Sequence, residues 1–260
     1  MKPKKSLGQN FLINDKILNI IIKHGEIKKD DIILEIGPGT GKLTEKIIEK
    51  KPLKIVAIEK DKILSDQLKV KFGNKLEIIN EDILKIYNKF KFDSPIKVFG
   101  NLPYNISTKI LTSFINMDNL SGIYSDFFFI FQKEVADRIV AKFNTKQYGR
   151  ISILTSWRMD KFKILDIPPL DFYPAPKVWS SLVIFKPKKN FEYLKKSQNL
   201  EHITNIFFNQ RRKMIRKPFK QLFTDYERKA KKLNIDLNLR PQNLSVKNYI
   251  EICKLYENLT

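Results

Sequence analysis

Apolar residues in the first hundred positions fall into short runs, and the residues between these runs follow a helical spacing. The runs predict buried strands at residues 31–36, 54–58, 76–79 and 96–100. Apolar positions three and four apart predict helices at residues 13–24, 42–50 and 61–72. Strands that alternate with helices are typical of a parallel sheet that is covered on both faces. The first part of the chain is therefore predicted to be an α/β domain.

After the fourth strand the pattern becomes less regular. The sequence predicts a helix at residues 132–143 and strands at residues 151–157, 161–165 and 181–185. The basic segment Lys186–Lys189 indicates a boundary, and helices are predicted beyond it at residues 200–208, 211–217, 226–233 and 246–255. Pro218 should end or kink the second of these helices. We therefore expect an α/β domain at residues 1–186 and a small all-helical domain at residues 187–260.

Residues with binding chemistry follow each of the four predicted strands. A glycine-rich turn, Gly37–Gly41, follows the first strand, and Glu59, Asp82 and Asn101 follow the next three. Because the carboxyl ends of parallel strands lie at one edge of a sheet, we expect these residues to converge there. Alone, the turn could be purely structural and a single carboxylate is usually solvated, so the convergence is the stronger signal.

The residue types at this edge suit a ligand that contains adenosine. Glycines allow the backbone to approach a ligand closely, and Glu59 can bind both hydroxyls of a ribose. Asp82 can accept a hydrogen bond from an adenine amine. The spacing Gly-x-Gly-x-Gly differs from the Gly-x-Gly-x-x-Gly of dinucleotide folds, which favours a ligand with a ribose and no pyrophosphate. S-adenosylmethionine meets these requirements.

The tetrapeptide Asn101-Leu102-Pro103-Tyr104 suits a planar partner with an exocyclic amine. The side-chain carbonyl of Asn101 can accept one amine hydrogen. Pro103 has no N–H and a fixed φ, so a nearby backbone carbonyl can be held as a second acceptor. Tyr104 offers a ring face for stacking. Alone, the tetrapeptide also fits an ordinary turn, but beside an adenosine site it indicates a nucleobase that accepts a group.

Charge indicates a polyanionic partner. The chain has 49 Lys and Arg against 28 Asp and Glu, and the last 74 residues hold 17 of the basic residues against 7 acidic ones. Nucleic acid or an anionic membrane would match the net charge of +21. A Lys-rich coding bias would raise the lysine count without by itself producing this imbalance, so nucleic acid is favoured.

Several classes of protein are disfavoured by composition. One cysteine excludes an internal disulfide framework, and with only two histidines a structural zinc centre is not expected. No apolar run approaches the roughly 18 residues of a membrane span. The basic start, Met1–Lys5, is not followed by the apolar stretch of a secretory signal. We expect a soluble, cytoplasmic protein with no membrane partner.

Longer motifs resemble a known family. Glu35–Gly41 together with the tetrapeptide resembles class I methyltransferases that act on an adenine exocyclic amine. Over essentially its whole length the chain resembles the small-subunit (16S) rRNA adenine N6,N6-dimethyltransferases of the KsgA type, through the motifs Leu7–Leu12, Gln132–Ala136, Tyr148–Ser152, Phe172–Val178 and Asn209–Lys213. The related erythromycin-resistance methyltransferases of large-subunit rRNA share Asn10-Phe11 and the tetrapeptide. Gly8 and the run Gln210–Lys213 favour the small-subunit family.

The resemblance implies a mostly parallel, seven-stranded Rossmann-like sheet, S-adenosylmethionine as the cofactor, and methylation of the N6 amines of two adjacent adenosines near the 3′ end of small-subunit rRNA. It implies that the cofactor is bound by Asn10, Leu12, Gly37, Gly39, Glu59, Asp82 and Asn101. It implies that the target base is handled by Asn101, Leu102, Pro103, Tyr104 and Phe172, with Tyr104 and Phe172 stacking on its two faces. Phe172 considered alone would more often be a core aromatic.

The implied partner is small-subunit rRNA, within a partly assembled 30S-type particle, and we expect the protein to be a monomer without a metal. Arg211, Arg212 and Lys213 are expected to contact RNA phosphates, although such a run alone could be a solvated helix face. A second hypothesis is a binding protein of the same fold, which acts in ribosome assembly or, as some mitochondrial relatives do, in transcription. The intact set of cofactor-binding and amine-binding residues favours the enzyme.

Overall fold

The computed structural model describes residues 3–4 and 7–258, so part of the basic start lies outside the described residues. Its strands are β1 (Phe11–Leu12), β2 (Ile32–Ile36), β3 (Lys54–Ile58), β4 (Glu77–Ile79), β5 (Ile96–Asn101), β6 (Tyr124–Gln132), β7 (Met159–Ile167), β8 (Phe172–Tyr173) and β9 (Ser180–Pro187). Its helices are α1 (Asp15–Gly25), α2 (Lys42–Glu49), α3 (Lys62–Phe72), α4 (Ile83–Ile86), α5 (Ser107–Ile115), α6 (Leu120–Ile123), α7 (Lys133–Val140), α8 (Arg150–Arg158), α9 (Ser197–Phe208), α10 (Arg216–Leu222), α11 (Tyr226–Lys232) and α12 (Val246–Glu257).

One seven-stranded sheet organises the first part of the chain, in the strand order β4-β3-β2-β5-β6-β9-β7. The strands from β4 to β6 pair in parallel, and β9 pairs antiparallel with β6. The register places Ile36 of β2 between Ile58 of β3 and Gly100 of β5. The carboxyl ends of these strands are therefore level, and the mostly parallel sheet predicted from the sequence is confirmed.

The predicted strands and helices of residues 13–100 are confirmed to within a few residues at their ends. Their local signals are physical ones. The side chain of Asn14 accepts a hydrogen bond from the backbone N–H of Lys16 and caps α1, and Asp61 caps α3 in the same way through Ile63. Every residue of β2 is buried, as expected for a strand covered on both faces.

An aromatic cluster lies where α5 packs on the sheet. The ring of Phe114, on α5, is fully buried and lies 5.8 Å from Tyr87, 5.1 Å from Tyr124 and 5.0 Å from Phe127, measured between ring centroids. Edge-to-face packing of this kind adds to the stabilisation that burial provides. Because α5 directly follows the Asn101–Tyr104 tetrapeptide, this packing also holds the tetrapeptide in place.

The chain divides into two compact units. The first consists of Met1–Ala136 and Asp160–Pro187, and the second of Asp137–Met159 and Lys188–Thr260. The second unit is helical, with the ring of Phe207 at 5.6 Å from Phe219 and 5.4 Å from Tyr249. The sequence predicts a single boundary at 186/187, whereas the contacts group residues 137–159 with the C-terminal helices. Sequential patterning cannot show that a segment from the middle of the chain packs elsewhere.

The strand predicted at residues 151–157 is wrong, because these residues form helix α8. The run is rich in β-branched residues, which suggest a strand. In the structure this helix is buried on most of its surface, through Ser152, Ile153, Leu154, Thr155, Trp157 and Arg158, so its sequence lacks the pattern of a one-sided helix. The helix starts where the hydroxyl of Ser152 accepts a hydrogen bond from the backbone N–H of Gly149 at 3.0 Å.

The helix predicted at residues 211–217 is wrong in its first part, since helix α10 begins only at Arg216 and residues 211–215 form a turn. Pro218 therefore lies in the first turn of a helix and does not end one. A first-turn residue has no intrahelical acceptor for its N–H, so a proline there is tolerated.

Among the described residues, none of the helices combines the length and the apolar composition that crossing a bilayer would require.

We predict that Phe114→Ala lowers the free energy of unfolding by about 3–5 kcal/mol, because removal of the buried ring leaves a cavity that no neighbouring side chain fills. Urea unfolding followed by far-ultraviolet circular dichroism measures the loss. Phe162→Ala is the matched control, since Phe162 is 51% exposed, and should change the free energy by less than about 1 kcal/mol. Equal losses in the two variants would show that the cluster does not hold α5.

Candidate active site

A pocket opens at the carboxyl edge of the sheet, in the first unit. It collects residues from the ends of β2, β3, β4 and β5, which are neighbours in the sheet. Of the residues predicted to form the site, the pocket is lined by Asn10, Gly37, Gly39, Glu59, Asp82, Asn101, Leu102, Pro103 and Tyr104. The structure therefore brings together the strand-end residues that the sequence predicts to converge.

Two glycines shape the floor of this pocket. Gly37 and Gly39 have φ values of +66° and +60°, in the left-handed region that disfavours side chains. A Cβ at Gly37 would meet no atom nearer than the backbone oxygen of Asn101 at 4.0 Å, whereas a Cβ at Gly39 would lie 2.6 Å from the ring of Phe11. Gly37 therefore leaves space that a ligand can use, and Gly39 allows Phe11 to pack over the turn.

Glu59 presents a nearly buried carboxylate to the pocket. It is 6% exposed, and its two oxygens accept hydrogen bonds from the backbone N–H of Gly39 at 3.2 Å and of Asp61 at 2.8 Å. Burial raises the pKa of Glu59, and these two hydrogen bonds oppose the rise. Each carboxylate oxygen retains a lone pair, so the group can accept two further hydrogen bonds from a diol.

Asp82 caps a short helix at the other side of the pocket. Its Oδ1 accepts a hydrogen bond from the backbone N–H of Leu84 at 3.0 Å, and its Oδ2 pairs with the ammonium of Lys60 at 2.9 Å. Partial burial raises the pKa of Asp82, but the hydrogen bonds from Lys60 and Leu84 outweigh it and hold the pKa below its ordinary value. The carboxylate is therefore ionised and able to accept a hydrogen bond from an amine.

The N-terminal segment is tied to the pocket by Asp61. This buried carboxylate accepts hydrogen bonds from the side-chain amide of Gln9 at 3.1 Å and from the ammonium of Lys4 at 2.9 Å. Gln9 and its neighbour Gly8 line the pocket as a result. The sequence identifies Asp61 only as a helix start, so its role in holding the leader was missed; no local pattern links positions so far apart.

Asn101 is held in one orientation. Its side-chain NH₂ donates a hydrogen bond to the backbone carbonyl of Asn10 at 2.6 Å. Within the described residues, Oδ1 of Asn101 accepts no hydrogen bond, and the residue lines the pocket. The amide therefore keeps its acceptor oxygen available for an incoming amine.

Tyr104 is half-buried beside the pocket. Its hydroxyl lies 2.5 Å from the hydroxyl of Ser180, at the start of β9. Burial raises the pKa of Tyr104, and the hydrogen bond with Ser180 opposes the rise. Leu102, between the amide and the proline, is 1% exposed and anchors the tetrapeptide in the core.

Two predicted site residues are not at this pocket. Leu12 and Phe172 are opposite each other in the β1–β8 pair and are 6% and 2% exposed, within the hydrophobic core. Leu12 lines a small neighbouring cavity that it shares with Gly37 and Asn101. The stacking role of Phe172 stays a prediction, because its ring is covered in this structure.

The three predicted RNA-binding residues lie in the second unit and differ from one another. The guanidinium of Arg211 forms hydrogen bonds within the protein, to the side-chain oxygen of Gln242 at 3.3 Å and to the backbone carbonyl of Lys146. Arg212 and Lys213 are exposed. The last two side chains are therefore the ones available to phosphates.

The fold is that of the Rossmann-like class I methyltransferases, with the pocket at the position where such sheets bind ligands. The residues present suit S-adenosylmethionine: the open space above Gly37 and the free acceptors on Glu59 and Asp82 match an adenosine with an extended substituent. Over the described part of the chain, no three His, Cys, Asp or Glu residues are grouped so that they could hold a metal ion.

Comparison with known proteins identifies the family. The model of the family described as "Ribosomal RNA adenine dimethylase" matches residues 1–258. A curated relative from Pelagibacter ubique, "Ribosomal RNA small subunit methyltransferase A", is 51% identical over 259 residues, covering 100% of this chain and 98% of that one. A relative of the same name from Ehrlichia ruminantium is 40% identical over 257 residues, covering 97% of this chain and 96% of that one.

A solved structure agrees in fold. The crystal structure of a dimethyladenosine transferase from Plasmodium falciparum superposes with a TM-score of 0.74 at 24% identity, covering 93% of this chain and 95% of that one. The chain belongs to the ribosomal RNA adenine dimethylase family. It is an S-adenosylmethionine-dependent rRNA adenine dimethyltransferase, which confirms the class of enzyme and the cofactor predicted from the sequence.

Another carboxyl group, that of Glu35, lies on β2 two residues before Gly37. It is 2% exposed and accepts a hydrogen bond from the hydroxyl of Thr44 at 2.6 Å. The pKa of Glu35 is raised to about 7, mainly by burial; the hydrogen bond from Thr44 opposes this rise and the negative charge of Glu59 adds to it. The ordinary value is 4.5, so between pH 4.5 and about 7 the folded chain keeps a proton that the unfolded chain loses.

We predict that this group lowers the stability as the pH rises from 4.5 to about 7 and contributes no further change above that. The loss is about 3 kcal/mol at most, since one pKa unit corresponds to about 1.4 kcal/mol. Glu35→Gln keeps an acceptor for Thr44 and removes the titration. The difference in the free energy of unfolding between this variant and the unmodified chain should therefore shift in favour of the variant as the pH rises from 5 to 8. Urea unfolding at several pH values measures the difference, with the exposed Glu49→Gln as the control. Parallel pH profiles for the unmodified chain and Glu35→Gln would contradict the prediction.

Proposed function

We propose that the chain methylates the N6 amines of two adjacent adenosines near the 3′ end of small-subunit rRNA, within a partly assembled 30S-type particle in the cytoplasm. The name of the Pelagibacter ubique relative supports the small subunit as the substrate. The observation that carries the proposal is the orientation of Asn101, whose NH₂ is bound to the carbonyl of Asn10 so that Oδ1 remains free at the pocket. We expect the protein to act as a monomer.

The proposal gives each pocket residue a role. Glu59 binds the hydroxyls of the ribose and Asp82 the adenine amine of the cofactor, through lone pairs that their present partners leave unused. Gly37 allows the backbone to approach the methionine end, and Gly39 allows Phe11 to pack over the turn. Asn10, Leu12 and the rest of the leader close over the cofactor.

S-adenosylmethionine supplies a methyl group on a positively charged sulfur. The adenine amine is a poor nucleophile, because its lone pair is delocalised into the ring. The main task of the protein is therefore to position and orient this amine. Oδ1 of Asn101 and a backbone carbonyl of the tetrapeptide accept the two amine hydrogens, which favours a pyramidal nitrogen aimed at the methyl group. Orientation and electrostatic stabilisation of the charge that develops on the nitrogen supply the acceleration.

Stacking holds the target base after it leaves its helix. The ring of Tyr104 is fixed by the hydrogen bond with Ser180 and offers one face. Phe172 is proposed as the opposite face, which requires the substrate to expose its ring, since Phe172 is 2% exposed. Leu102 and Pro103 keep the tetrapeptide rigid between these rings and the amide.

We propose that the first unit performs the transfer and that the second unit, which consists of Asp137–Met159 and Lys188–Thr260, binds RNA. The supporting observation is the exposure of Arg212 and Lys213 on a turn of the second unit. Contacts to phosphates position an RNA without reading its sequence.

Asn101→Ala is predicted to lower methyl transfer to under-methylated small subunits by at least about 100-fold, because one amine acceptor is lost from the transition state. Binding of RNA should change little. Incorporation of radiolabelled methyl groups measures transfer. Asn74→Ala, at an exposed turn away from the pocket, is the control and should keep full activity. Full activity in Asn101→Ala would remove the proposed acceptor. Absence of transfer by the unmodified chain with tight RNA binding would favour a binding protein.

Replacing Arg212 and Lys213 by Gln is predicted to reduce the salt dependence of RNA binding. Each phosphate contact contributes about one unit to the slope of log K against log salt, so the double variant should lose about two units. Filter binding between 50 and 200 mM salt, with small-subunit rRNA, measures the slope. Lys28→Gln with Lys29→Gln, two exposed lysines before β2, is the control and should leave the slope unchanged. A slope that is the same in both double variants would argue against contact at residues 212–213.

A further inference from the structure

An exposed loop reaches the active-site edge of the sheet from β9. Because β9 is antiparallel to β6, its first residue, Ser180, lies opposite Gln132, the last residue of β6. In the same sheet, Ile130 of β6 lies opposite Asn101 of β5. The residues just before Ser180 therefore emerge at the edge where the pocket opens.

The position of Trp179 in this loop is fixed on both sides. The backbone carbonyl of Trp179 accepts a hydrogen bond from the backbone N–H of Lys133 at 2.8 Å. The next residue, Ser180, is fully buried and lies 2.5 Å from the hydroxyl of Tyr104. Trp179 thus directly precedes Ser180, which is bound to the pocket residue Tyr104, and hydrogen bonds hold its backbone in this position.

Packing does not account for Trp179. The chain has two tryptophans, and Trp157 is 3% exposed whereas Trp179 is 50% exposed. In the part of the chain that the structure describes, the ring of Trp179 contacts no other aromatic ring and no cation. Val178, the preceding residue of the loop, is 43% exposed, and Tyr173, at the end of β8 where the loop begins, is 57% exposed. Large apolar side chains grouped at one exposed place usually mark a binding surface.

We propose that Trp179 stacks on an unpaired nucleotide that neighbours the target adenosine, as a positioning residue for the methyl transfer. The inference rests on the proposed function. A base that flips out of its stack leaves the face of its neighbour uncovered, and an aromatic ring replaces the stacking that is lost. Every base offers such a face, so the contact orients the RNA without reading its sequence.

Charge on the loop fits a nucleic acid. Lys177 is exposed two residues before Trp179, and a cation beside an aromatic ring is the combination used for single-stranded RNA, with the phosphate bound by one group and the base by the other. A second purine adjacent to the first target would give the ring an especially large surface to cover.

The test compares Trp179→Ala, Trp179→Phe and Phe162→Ala, the last being an aromatic of nearly equal exposure (51%) on β7. The substrate is the under-methylated small subunit. Stacking on one base corresponds to about 1–3 kcal/mol, so Trp179→Ala should raise KM about 5- to 100-fold with little change in kcat. Trp179→Phe keeps a ring and should remain within about fivefold of the unmodified chain. Phe162→Ala should match the unmodified chain, and S-adenosylmethionine should bind all of them equally.

A second measurement identifies the occupant. The fluorescence present in the unmodified chain and absent from Trp179→Phe reports on Trp179, and protein-free small-subunit rRNA should quench it. An unchanged KM in Trp179→Ala would overturn the proposal. A raised KM without quenching by protein-free rRNA would also overturn it, since the ring would then meet a ribosomal protein. If the unmodified chain transfers no methyl group, the proposed function fails, and the quenching still decides whether the ring stacks on RNA.

Discussion

The level carboxyl ends of the parallel strands determine where Gly37, Glu59 and Asn101 lie in the pocket. Ile36, Ile58 and Gly100 are held side by side by backbone hydrogen bonds, in strands that are buried on both faces. The residue that follows each of them is therefore delivered to the same edge. A shift in register by one residue would turn these side chains to the opposite face of the sheet and remove them from the site. The burial of the apolar runs, which fixes the register, therefore also fixes the positions of the site residues.

The pocket is completed by a segment that is distant in sequence. Asp61 caps helix α3 and also binds Gln9 and Lys4, so one carboxylate links the start of this helix to the N-terminal leader. The leader in turn supplies the Asn10 carbonyl that orients Asn101. The position of the leader at the pocket and the orientation of the Asn101 amide thus depend on the same few hydrogen bonds.

Much of this could be predicted from the sequence, because the informative residues directly follow apolar runs. Glu59 and Asn101 are examples: a strand end fixes their place without knowledge of any long-range contact. Tertiary contacts decide the features that the sequence does not reveal. Residues 151–157 have the composition of a strand but fold as a helix that is buried on most of its surface, so the sequence lacks the pattern of a one-sided helix. Residues 137–159 join the second unit, a grouping that no local pattern encodes. Phe172 is buried in the core and pairs with Leu12 of β1, an antiparallel pairing between positions about 160 residues apart.

The central claim is that the amide of Asn101, oriented by the carbonyl of Asn10, receives the amine of an unstacked adenine at the cofactor pocket. A crystal structure of the chain with S-adenosylhomocysteine and an adenosine-containing RNA fragment tests it most directly. The account predicts Oδ1 of Asn101 at about 3 Å from the N6 atom of the adenine, with Nδ2 still bound to the Asn10 carbonyl. An amide turned so that Nδ2 faces the base, or an adenine bound away from residue 101, would contradict it.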